Sequence, residues 1–236
     1  VGPPARGDEA AIHAGRRAEM LEVIQAHART GYSAALAPAI SPAVIAAMGR
    51  VERHEFVPEA LRARAYEDRP LPIGYGQTIS QPYIVALMTE LLNPSSDERI
   101  LEIGTGSGYH AAVLSKLAAE VYTIEIVPEL AQRATEDVAR LGFLNVKVKE
   151  GDGFLGWPEE APFDGILITC AIDRVPQPLI EQLKEGGRIV LPLGKQLSYQ
   201  DLTVVTKLKD GSLEHRSVTG VVFVPMTGPH GFERTT

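Results

Sequence analysis

The chain has 236 residues, of which 44% are hydrophobic and 22% charged, and its formal net charge at pH 7 is −7. The length fits one α/β domain, and the composition excludes a wholly disordered, collagen-like or coiled-coil chain. The negative charge disfavours a protein whose main function is to bind nucleic-acid phosphates, because such binding requires clustered Lys and Arg. We therefore expect no nucleic-acid partner.

Cysteine content and hydropathy indicate the compartment. Cys170 is the single cysteine, so no disulfide can form within the chain, which is typical of a reducing compartment. No apolar run reaches the ~18 residues of a transmembrane helix, and Val1–Asp8 lacks the apolar centre of a signal peptide. We expect a soluble cytoplasmic protein with no membrane partner.

The first third of the chain is predicted to be helical. Apolar residues at helical spacing predict a helix over 8–30, which Gly31 can cap. Ser41 before a proline predicts the N-cap of a second helix, and Val57-Pro58 opens a third, short one.

Residues 71–82, LPIGYGQTISQP, are rich in proline and glycine and show no regular period. Loops of this length in a compact domain are usually functional or disordered. Their isoleucine and tyrosine side chains favour a packed, ordered loop. Pro82 then begins a helix that Asn93-Pro94 ends.

The rest of the chain alternates between strands and helices before ending in a hairpin. Strands separated by helices indicate parallel βαβ units, and the Asp210-Gly211 turn adds an antiparallel hairpin. The sequence therefore predicts an α/β fold with a doubly wound, mostly parallel sheet. The predicted strands are 99–104, 120–126, 145–148, 163–169, 188–193, 202–208 and 213–224, and the predicted helices between them are 109–118, 128–141 and 178–184.

A glycine-rich segment, Glu102-Ile-Gly104-Thr-Gly106-Ser-Gly108, lies where the first strand of this sheet ends and a helix begins. Glycines there let the backbone turn sharply and approach a ligand, and the helix N-terminus adds free N–H groups. Dinucleotide folds use G-x-G-x-x-G, whereas the third glycine here comes one residue early, which disfavours a nicotinamide dehydrogenase. A tight turn without a ligand is the alternative.

Two acidic residues follow the next two strands. Glu125 ends the second strand about 20 residues after Gly104, where a carboxylate can accept hydrogen bonds from both ribose hydroxyls. Asp152 follows the third strand, where it can accept from an adenine amino group. The alternatives are that Glu125 caps the helix near Pro128 and that Asp152 only forms a turn. Together the three strand ends predict an adenosine site.

At this point the motifs resemble one family of methyltransferases. E-x-G-x-G-x-G resembles motif I of the S-adenosylmethionine-dependent superfamily, and GQTISQP, LEIGTGSGY, GDG, FDGILIT, EGGRIVLPLG and FVPMT look like protein-L-isoaspartate (D-aspartate) O-methyltransferases. The resemblance covers roughly residues 51–227, and QTISQP is its most specific motif. It implies a Rossmann-like methyltransferase fold, S-adenosylmethionine as cofactor and S-adenosylhomocysteine as product.

The resemblance also implies the reaction. A methyl group passes to the free α-carboxylate of L-isoaspartyl residues in damaged proteins and peptides, and the ester cyclises to a succinimide whose hydrolysis returns some normal aspartate. The extent to which D-aspartyl residues react stays open. Alternatives are transfer to another carboxylate or small-molecule acceptor, and a non-catalytic scaffold that kept the sheet.

The family's site residues are implied position by position. Ser80 matches the active-site serine, which would orient the acceptor carboxylate; its alternative role is an N-cap before Pro82. Thr169–Arg174 and Phe232 depart from the family's pattern, which leaves the shape of the substrate pocket open. The cofactor-binding positions are implied to be Gln77, Thr78, Ile79, Gly104, Gly106, Ser107, Glu125, Asp152, Gly153 and Thr227.

The chemistry needs few residues. A carboxylate with a pKa of ~4 is already ionised at pH 7, so no general base is required. His110 is predicted on a helix surface, Cys170 is predicted to be a buried structural thiol, and no pair of histidines has a metal-binding spacing. We treat 1–236 as one domain, comprising a helical portion 1–70, an active-site loop 71–82, a cofactor-binding core 83–200, and a C-terminal hairpin and tail 201–236.

Overall fold

A computed structural model describes residues 6–30, 37–195 and 198–231 of the chain. Four short 3-10 helices, Arg53–Phe56, Glu59–Arg64, Gly153–Leu155 and Pro158–Glu160, join the main elements. The α-helices are α1 (Arg6–Thr30), α2 (Pro42–Gly49), α3 (Pro82–Leu92), α4 (Tyr109–Leu114), α5 (Pro128–Arg140) and α6 (Gln177–Gln182). The strands are β1 (Leu71–Gly74), β2 (Gln77–Ile79), β3 (Arg99–Ile103), β4 (Glu120–Glu125), β5 (Val146–Glu150), β6 (Phe163–Ile168), β7 (Leu183–Leu193), β8 (Gln200–Lys207) and β9 (Leu213–Val221).

Seven strands form one sheet in the order β5-β4-β3-β6-β7-β8-β9. The first five are parallel, whereas β8 and β9 add to the edge as an antiparallel hairpin. The predicted doubly wound, mixed sheet is therefore confirmed. Because β3 has β4 on one side and β6 on the other, chain connections leave in opposite directions there, and such a switch point creates a crevice at the carboxyl ends of the strands.

Hydrophobic residues cover both faces of the sheet. Ile100 and Val121 point into a cluster that also contains residues of α1 to α5, whereas Leu101 and Tyr122 point into a second cluster with Leu179 of α6. Burial on both faces explains the nearly continuous apolar runs of these strands. The site at the ends of the strands thus rests on a sheet that is buried on both faces.

The N-terminal elements agree with the sequence in part. The Ser41 hydroxyl accepts a hydrogen bond from the Val44 N–H at 3.4 Å and caps α2, as predicted. Asn93, in the left-handed region with φ of 48°, ends α3. The helix predicted after Val57 is a 3-10 helix, and the predicted cap Gly31 lies outside the described residues.

Residues 71–79 form a hairpin within the segment that was predicted to be a packed, ordered loop. β1 and β2 pair antiparallel with Leu71 opposite Ile79, and the turn residues Gly74, Tyr75 and Gly76 all have positive φ. Burial alternates along β1, with Leu71 and Ile73 inside. The sequence did not predict these strands because they are short: β1 has two buried apolar residues and β2 only one, which is too weak a periodic signal among the glycines and prolines.

Several boundaries also differ. β7 begins at Leu183 and not at residue 188, directly after α6, because the buried Leu183 already pairs with Phe163 of β6. Three exposed residues and a register irregularity separate Leu183 from the apolar run, so the sequence pattern did not include it. α4 ends at Leu114 instead of 118, and β5 spans Val146–Glu150 instead of 145–148. β9 ends at Val221, before the segment that returns to the cleft.

Candidate active site

A cleft opens at the carboxyl ends of β3, β4 and β6. Its walls come from the β1–β2 hairpin, the glycine loop after β3, the end of β4 and the segment that follows β9. These parts are distant in the sequence, so the fold brings together residues that the motifs named separately. The predicted site residues that line the cleft are Gln77, Thr78, Ile79, Ser80, Gly104, Gly106, Ser107, Glu125, Gly153 and Thr227.

The glycine loop packs directly against the end of β6. Gly104, Gly106 and Gly108 have φ of 94°, 53° and 85°, which only glycine adopts readily. A Cβ atom at Gly104 would lie 2.6 Å from the Thr169 hydroxyl, which donates a 2.7 Å hydrogen bond to the Gly104 carbonyl. The loop therefore forms a tight cradle whose backbone faces the cleft.

Glu125 ties the glycine loop to the end of β4. It is 5% exposed, and its carboxylate accepts hydrogen bonds from the N–H of Gly106 at 2.7 Å and of Val127 at 3.0 Å. Val127 is the N-cap residue of α5 and its own side chain makes no capping bond, so the bond to the Val127 N–H places the Glu125 carboxylate at the start of that helix, as its alternative role predicted. The acid also stands in the cleft wall beside the glycine loop, so the contact with the helix leaves a contact with a ligand open.

Glu102 is a site residue that the sequence analysis named only as part of the motif. It is fully buried, its Oε2 accepts a 2.6 Å hydrogen bond from the Thr123 hydroxyl, and its Oε1 has no partner among the described residues. Burial, with a smaller contribution from the charge of Glu125, raises the pKa of Glu102 to about 8. A buried polar atom without a partner is costly, so the cleft suits a ligand that carries a hydrogen-bond donor.

Asp152 is the one predicted site residue that does not line the cleft. Its Oδ1 accepts a 3.0 Å hydrogen bond from the Phe154 N–H and caps the 3-10 helix, which is the turn role considered as its alternative. Its Oδ2 lies 2.7 Å from Nδ1 of His230, whose ring stacks on Phe154. The contact with an adenine group stays a prediction, and the neighbouring Gly153 does reach the cleft.

Ser80 lines the cleft and does not cap α3. The N-cap residue is Gln81, and it makes no side-chain capping bond, so the capping alternative for Ser80 is wrong. The Ser80 carbonyl accepts a 2.8 Å hydrogen bond from Nη2 of Arg53. This leaves the hydroxyl without a structural task in the described part of the chain and available to a ligand.

His110 lies inside the protein, contrary to the prediction of a surface position. It is 7% exposed, lines the cleft, and its Nε2 lies 2.9 Å from the Thr89 hydroxyl. Every residue of α4 is buried because this short helix packs under the glycine loop, and so no solvent face exists for the histidine. Burial lowers the pKa of His110 to about 3, which keeps the ring neutral.

Cys170 also lines the cleft and is only partly buried as a residue, so the prediction of a buried structural thiol holds in part. Burial of the thiol, reinforced by the charge of Glu125, raises the pKa of Cys170 well above its usual range. The thiol is therefore protonated at neutral pH and is not an activated nucleophile.

Two other features are absent from residues 6–30, 37–195 and 198–231. No cluster of three or more metal-ligating side chains is found there. None of the helices there combines the length and the hydropathy that a membrane span requires.

Comparisons with known proteins agree with this geometry. The protein-L-isoaspartate(D-aspartate) O-methyltransferase family matches residues 27–231. Protein-L-isoaspartate O-methyltransferase 2 of Syntrophobacter fumaroxidans is 52% identical over 214 residues, which cover 91% of this chain and 87% of the relative. The Nitrosococcus oceani protein of the same name is 58% identical over 187 residues, covering 79% and 85%.

Solved structures give the same result. A protein-L-isoaspartate O-methyltransferase superposes with a TM-score of 0.77 at 31% identity, covering 90% of this chain and 66% of the solved chain. A Plasmodium falciparum structure in complex with S-adenosyl-L-homocysteine shares the fold, with a TM-score of 0.73 at 23% identity and coverage of 89% and 97%. The chain therefore belongs to the protein-L-isoaspartate(D-aspartate) O-methyltransferase family, as its sequence motifs predict.

Proposed function

We propose that this chain transfers the methyl group of S-adenosylmethionine to the free α-carboxylate of L-isoaspartyl residues in damaged proteins and peptides, and so initiates their repair through a succinimide. The observation that carries the proposal is that the hairpin, with Ser80 directly after it, and the glycine loop line one cleft in a member of this family. One element can then hold the acceptor while the other holds the cofactor.

The residues of the cleft fit this cofactor. When bound, S-adenosylmethionine would supply a methyl group whose carbon a carboxylate oxygen can attack, because the positively charged sulfur is a good leaving group. Glu125 would accept hydrogen bonds from the ribose hydroxyls, and the glycine loop would let the ligand approach its backbone. The unpartnered Oε1 of Glu102 suits a donor such as the amino group of the methionine part. Asp152 and Gly153 would contact the adenine.

Ser80 would act on the acceptor. Its hydroxyl can donate a hydrogen bond to one carboxylate oxygen and so direct the other oxygen at the methyl group. No residue has to remove a proton, which agrees with a neutral His110 and a protonated Cys170 in the wall. Catalysis then depends on alignment and exclusion of water, which can lower a barrier by up to ~7–11 kcal/mol.

A paired assay tests the function. An isoaspartyl peptide and the otherwise identical aspartyl peptide are incubated with methyl-labelled S-adenosylmethionine, and a D-aspartyl peptide forms a third arm. We expect methyl ester on the isoaspartyl peptide and none on the L-aspartyl peptide. Equal labelling of both peptides, or labelling only of small carboxylic acids, would favour a methyltransferase with another acceptor. Failure to bind S-adenosylhomocysteine in a titration would favour a non-catalytic scaffold.

We propose that the protein works in the cytoplasm without a nucleic-acid partner. The single cysteine and the net charge of −7 support this location and partner set. Cell fractionation tests the location, and recovery in a membrane or secreted fraction would contradict it. A gel-shift titration with DNA and RNA at ~0.15 M salt tests the second statement, because tight binding there would require a basic surface that the composition disfavours.

A further inference from the structure

Arg53 is a fully buried cation behind the wall of the cleft. Its Nε donates a 2.6 Å hydrogen bond to the Ala65 carbonyl, and its Nη2 donates one of 2.8 Å to the Ser80 carbonyl. Burial lowers the pKa of Arg53 to about 10, so the guanidinium keeps its charge and its donors at neutral pH. Because burying a charge is costly, a residue of this kind needs a role that an apolar side chain cannot perform.

Arg53 forms no ion pair with any described residue. Among the described residues, no carboxylate lies within the 4.0 Å limit of a salt bridge to it, although Asp68 attracts it from further away. The guanidinium lies instead over the ring of Tyr109, 4.9 Å from the centroid, and Tyr109 lines the cleft. Arg53 therefore sits between Tyr109 of the cleft wall and the backbone at Ser80, and the two groups to which it donates are the carbonyls of Ala65 and Ser80.

Asp68 holds the residues that follow Ser80 from the other side. Its Oδ2 accepts a 3.0 Å hydrogen bond from Nε2 of Gln81, and its Oδ1 accepts one of 2.8 Å from the Tyr83 N–H. Side chains of an earlier segment thus fix the chain around Ser80, because Arg53 holds the Ser80 carbonyl and Asp68 holds Gln81 and the first turn of α3. The carbonyl of Ser80 is occupied by Arg53, whereas its hydroxyl remains available to a ligand.

We propose that Arg53 is a positioning residue for methyl transfer, which holds the Ser80 carbonyl and thereby sets the direction of the Ser80 hydroxyl in the cleft. The inference rests on the proposed function. A planar guanidinium can donate to two carbonyls in different directions at once, whereas a lysine ammonium is a point charge on a flexible stem. Arg53→Lys should therefore keep the charge and lose the alignment.

Arg99 provides a matched control. Its guanidinium also lies 4.9 Å from a tyrosine centroid, that of Tyr122, and donates to the Tyr122 hydroxyl and to Glu160. It begins β3, at the end of the strand away from the cleft. Arg99→Lys therefore removes a similar guanidinium network where it cannot affect Ser80.

The variants are compared by kcat and KM for the isoaspartyl peptide, by affinity for S-adenosylhomocysteine and by thermal midpoint. We expect Arg53→Lys to lower kcat by roughly 10-fold or more, with cofactor affinity changed less than about 2-fold. Arg99→Lys should lower the thermal midpoint and keep the wild-type kcat. A merely structural role of Arg53 would move the midpoint without this selective loss of kcat.

A double-mutant cycle tests whether Arg53 acts through Ser80. If it does, Arg53→Lys lowers kcat much less in a Ser80→Ala background than in the wild type. Multiplicative losses, a wild-type kcat for Arg53→Lys, or failure of that variant to fold would each overturn the positioning role. A wild-type enzyme that binds S-adenosylhomocysteine but leaves the isoaspartyl peptide unmethylated would refute the proposed function and this role with it; an active wild type with an unaffected Arg53→Lys refutes only the role of Arg53.

Discussion

At Ser80, the structure separates an effect on catalysis from an effect on stability. Because its side chain does not cap α3, Ser80→Ala should leave the free energy of unfolding within ~0.5 kcal/mol of the wild type. Turnover on an isoaspartyl peptide should fall at least ~10-fold, which corresponds to losing an orienting interaction of ~1.4 kcal/mol. Steady-state kinetics and denaturant unfolding of the same preparation measure the two effects.

Ser41→Ala is the control for Ser80. Ser41 does cap a helix, so its loss should cost ~0.5–2 kcal/mol of stability and leave turnover unchanged. A folded Ser80→Ala enzyme with wild-type turnover would remove Ser80 from the mechanism and direct attention to Thr78 in β2, which also lines the cleft.

Glu125 carries the prediction for the cofactor. Glu125→Ala removes the acceptor proposed for the ribose and also the bond to the Gly106 N–H, so affinity for S-adenosylhomocysteine should weaken by ~1.5–3 kcal/mol. Titration calorimetry measures it. Glu120→Ala is the matched control, because Glu120 begins the same strand at the end away from the cleft and pairs with Lys147. Equal affinities of the two variants would contradict the assignment.

Glu102 gives the protein a pH dependence of known sign. Its pKa is raised to about 8 in the folded chain, so its contribution to stability is complete below the ordinary ~4.5 and is lost as the pH rises through about 8. The pKa of His110 is lowered to about 3, so its contribution to stability has the opposite pH dependence and is lost as the pH falls. That contribution is fully present above ~6.5, so His110 adds little change between pH 7 and pH 8.

Urea unfolding of the ligand-free protein at pH 7 and pH 8 isolates Glu102. The wild type should lose stability over this interval, by the order of 1 kcal/mol, whereas Glu102→Gln should lose less because the amide does not titrate. Glutamine keeps the size of the side chain and can still accept from Thr123. Parallel changes in the two proteins would show that Glu102 is ionised already at pH 7.

At the scale of elements, the contact between the glycine loop and the end of β6 decides how closely a ligand can approach. Gly104→Ala adds a Cβ atom 2.6 Å from the Thr169 hydroxyl at a residue with φ of 94°. Gly142→Ala is the control, with φ of 77° and no atom within 4 Å. Both variants pay backbone strain of ~1–3 kcal/mol, but only Gly104→Ala should also weaken S-adenosylhomocysteine binding in calorimetry. Equal affinities would show that the cradle tolerates a side chain.

The elements also show what the sequence could predict and what it could not. The core strands were predictable because burial on both faces leaves an apolar run between turn signals, as in β3 and β6. The resemblance implied that segment 71–82 meets the glycine loop and Glu125 at one site, but the hairpin form of that segment was not predicted. The burial of His110 and the two hydrogen bonds of Arg53 depend on how α4 and the 3-10 helices pack. The spacing of apolar residues along the sequence does not indicate such tertiary packing.

At the scale of the whole molecule, the parts named from the sequence share one core. The larger hydrophobic cluster joins Met20 of α1, Met48 of α2, Leu71 of the hairpin, Val121 of β4 and Val204 of β8. No boundary between the helical portion 1–70 and the core 83–200 is evident in that cluster. We therefore propose that residues 1–236 unfold as one cooperative domain.

Trp157, the only tryptophan of the chain, makes this testable. It packs edge-on against Tyr122 at 5.5 Å, in the cluster on the face of the sheet opposite the N-terminal helices. Its fluorescence therefore reports the core, whereas far-ultraviolet circular dichroism is dominated by the helices, of which α1 is the longest described. Under urea the two signals should share one midpoint, because α1 and the hairpin bury their apolar side chains in the same cluster as the core strands. S-adenosylhomocysteine should shift both midpoints together, since its proposed site includes the hairpin and the strand ends. An earlier transition seen only by circular dichroism would mean that the N-terminal helices form a separate unit and would refute the single domain.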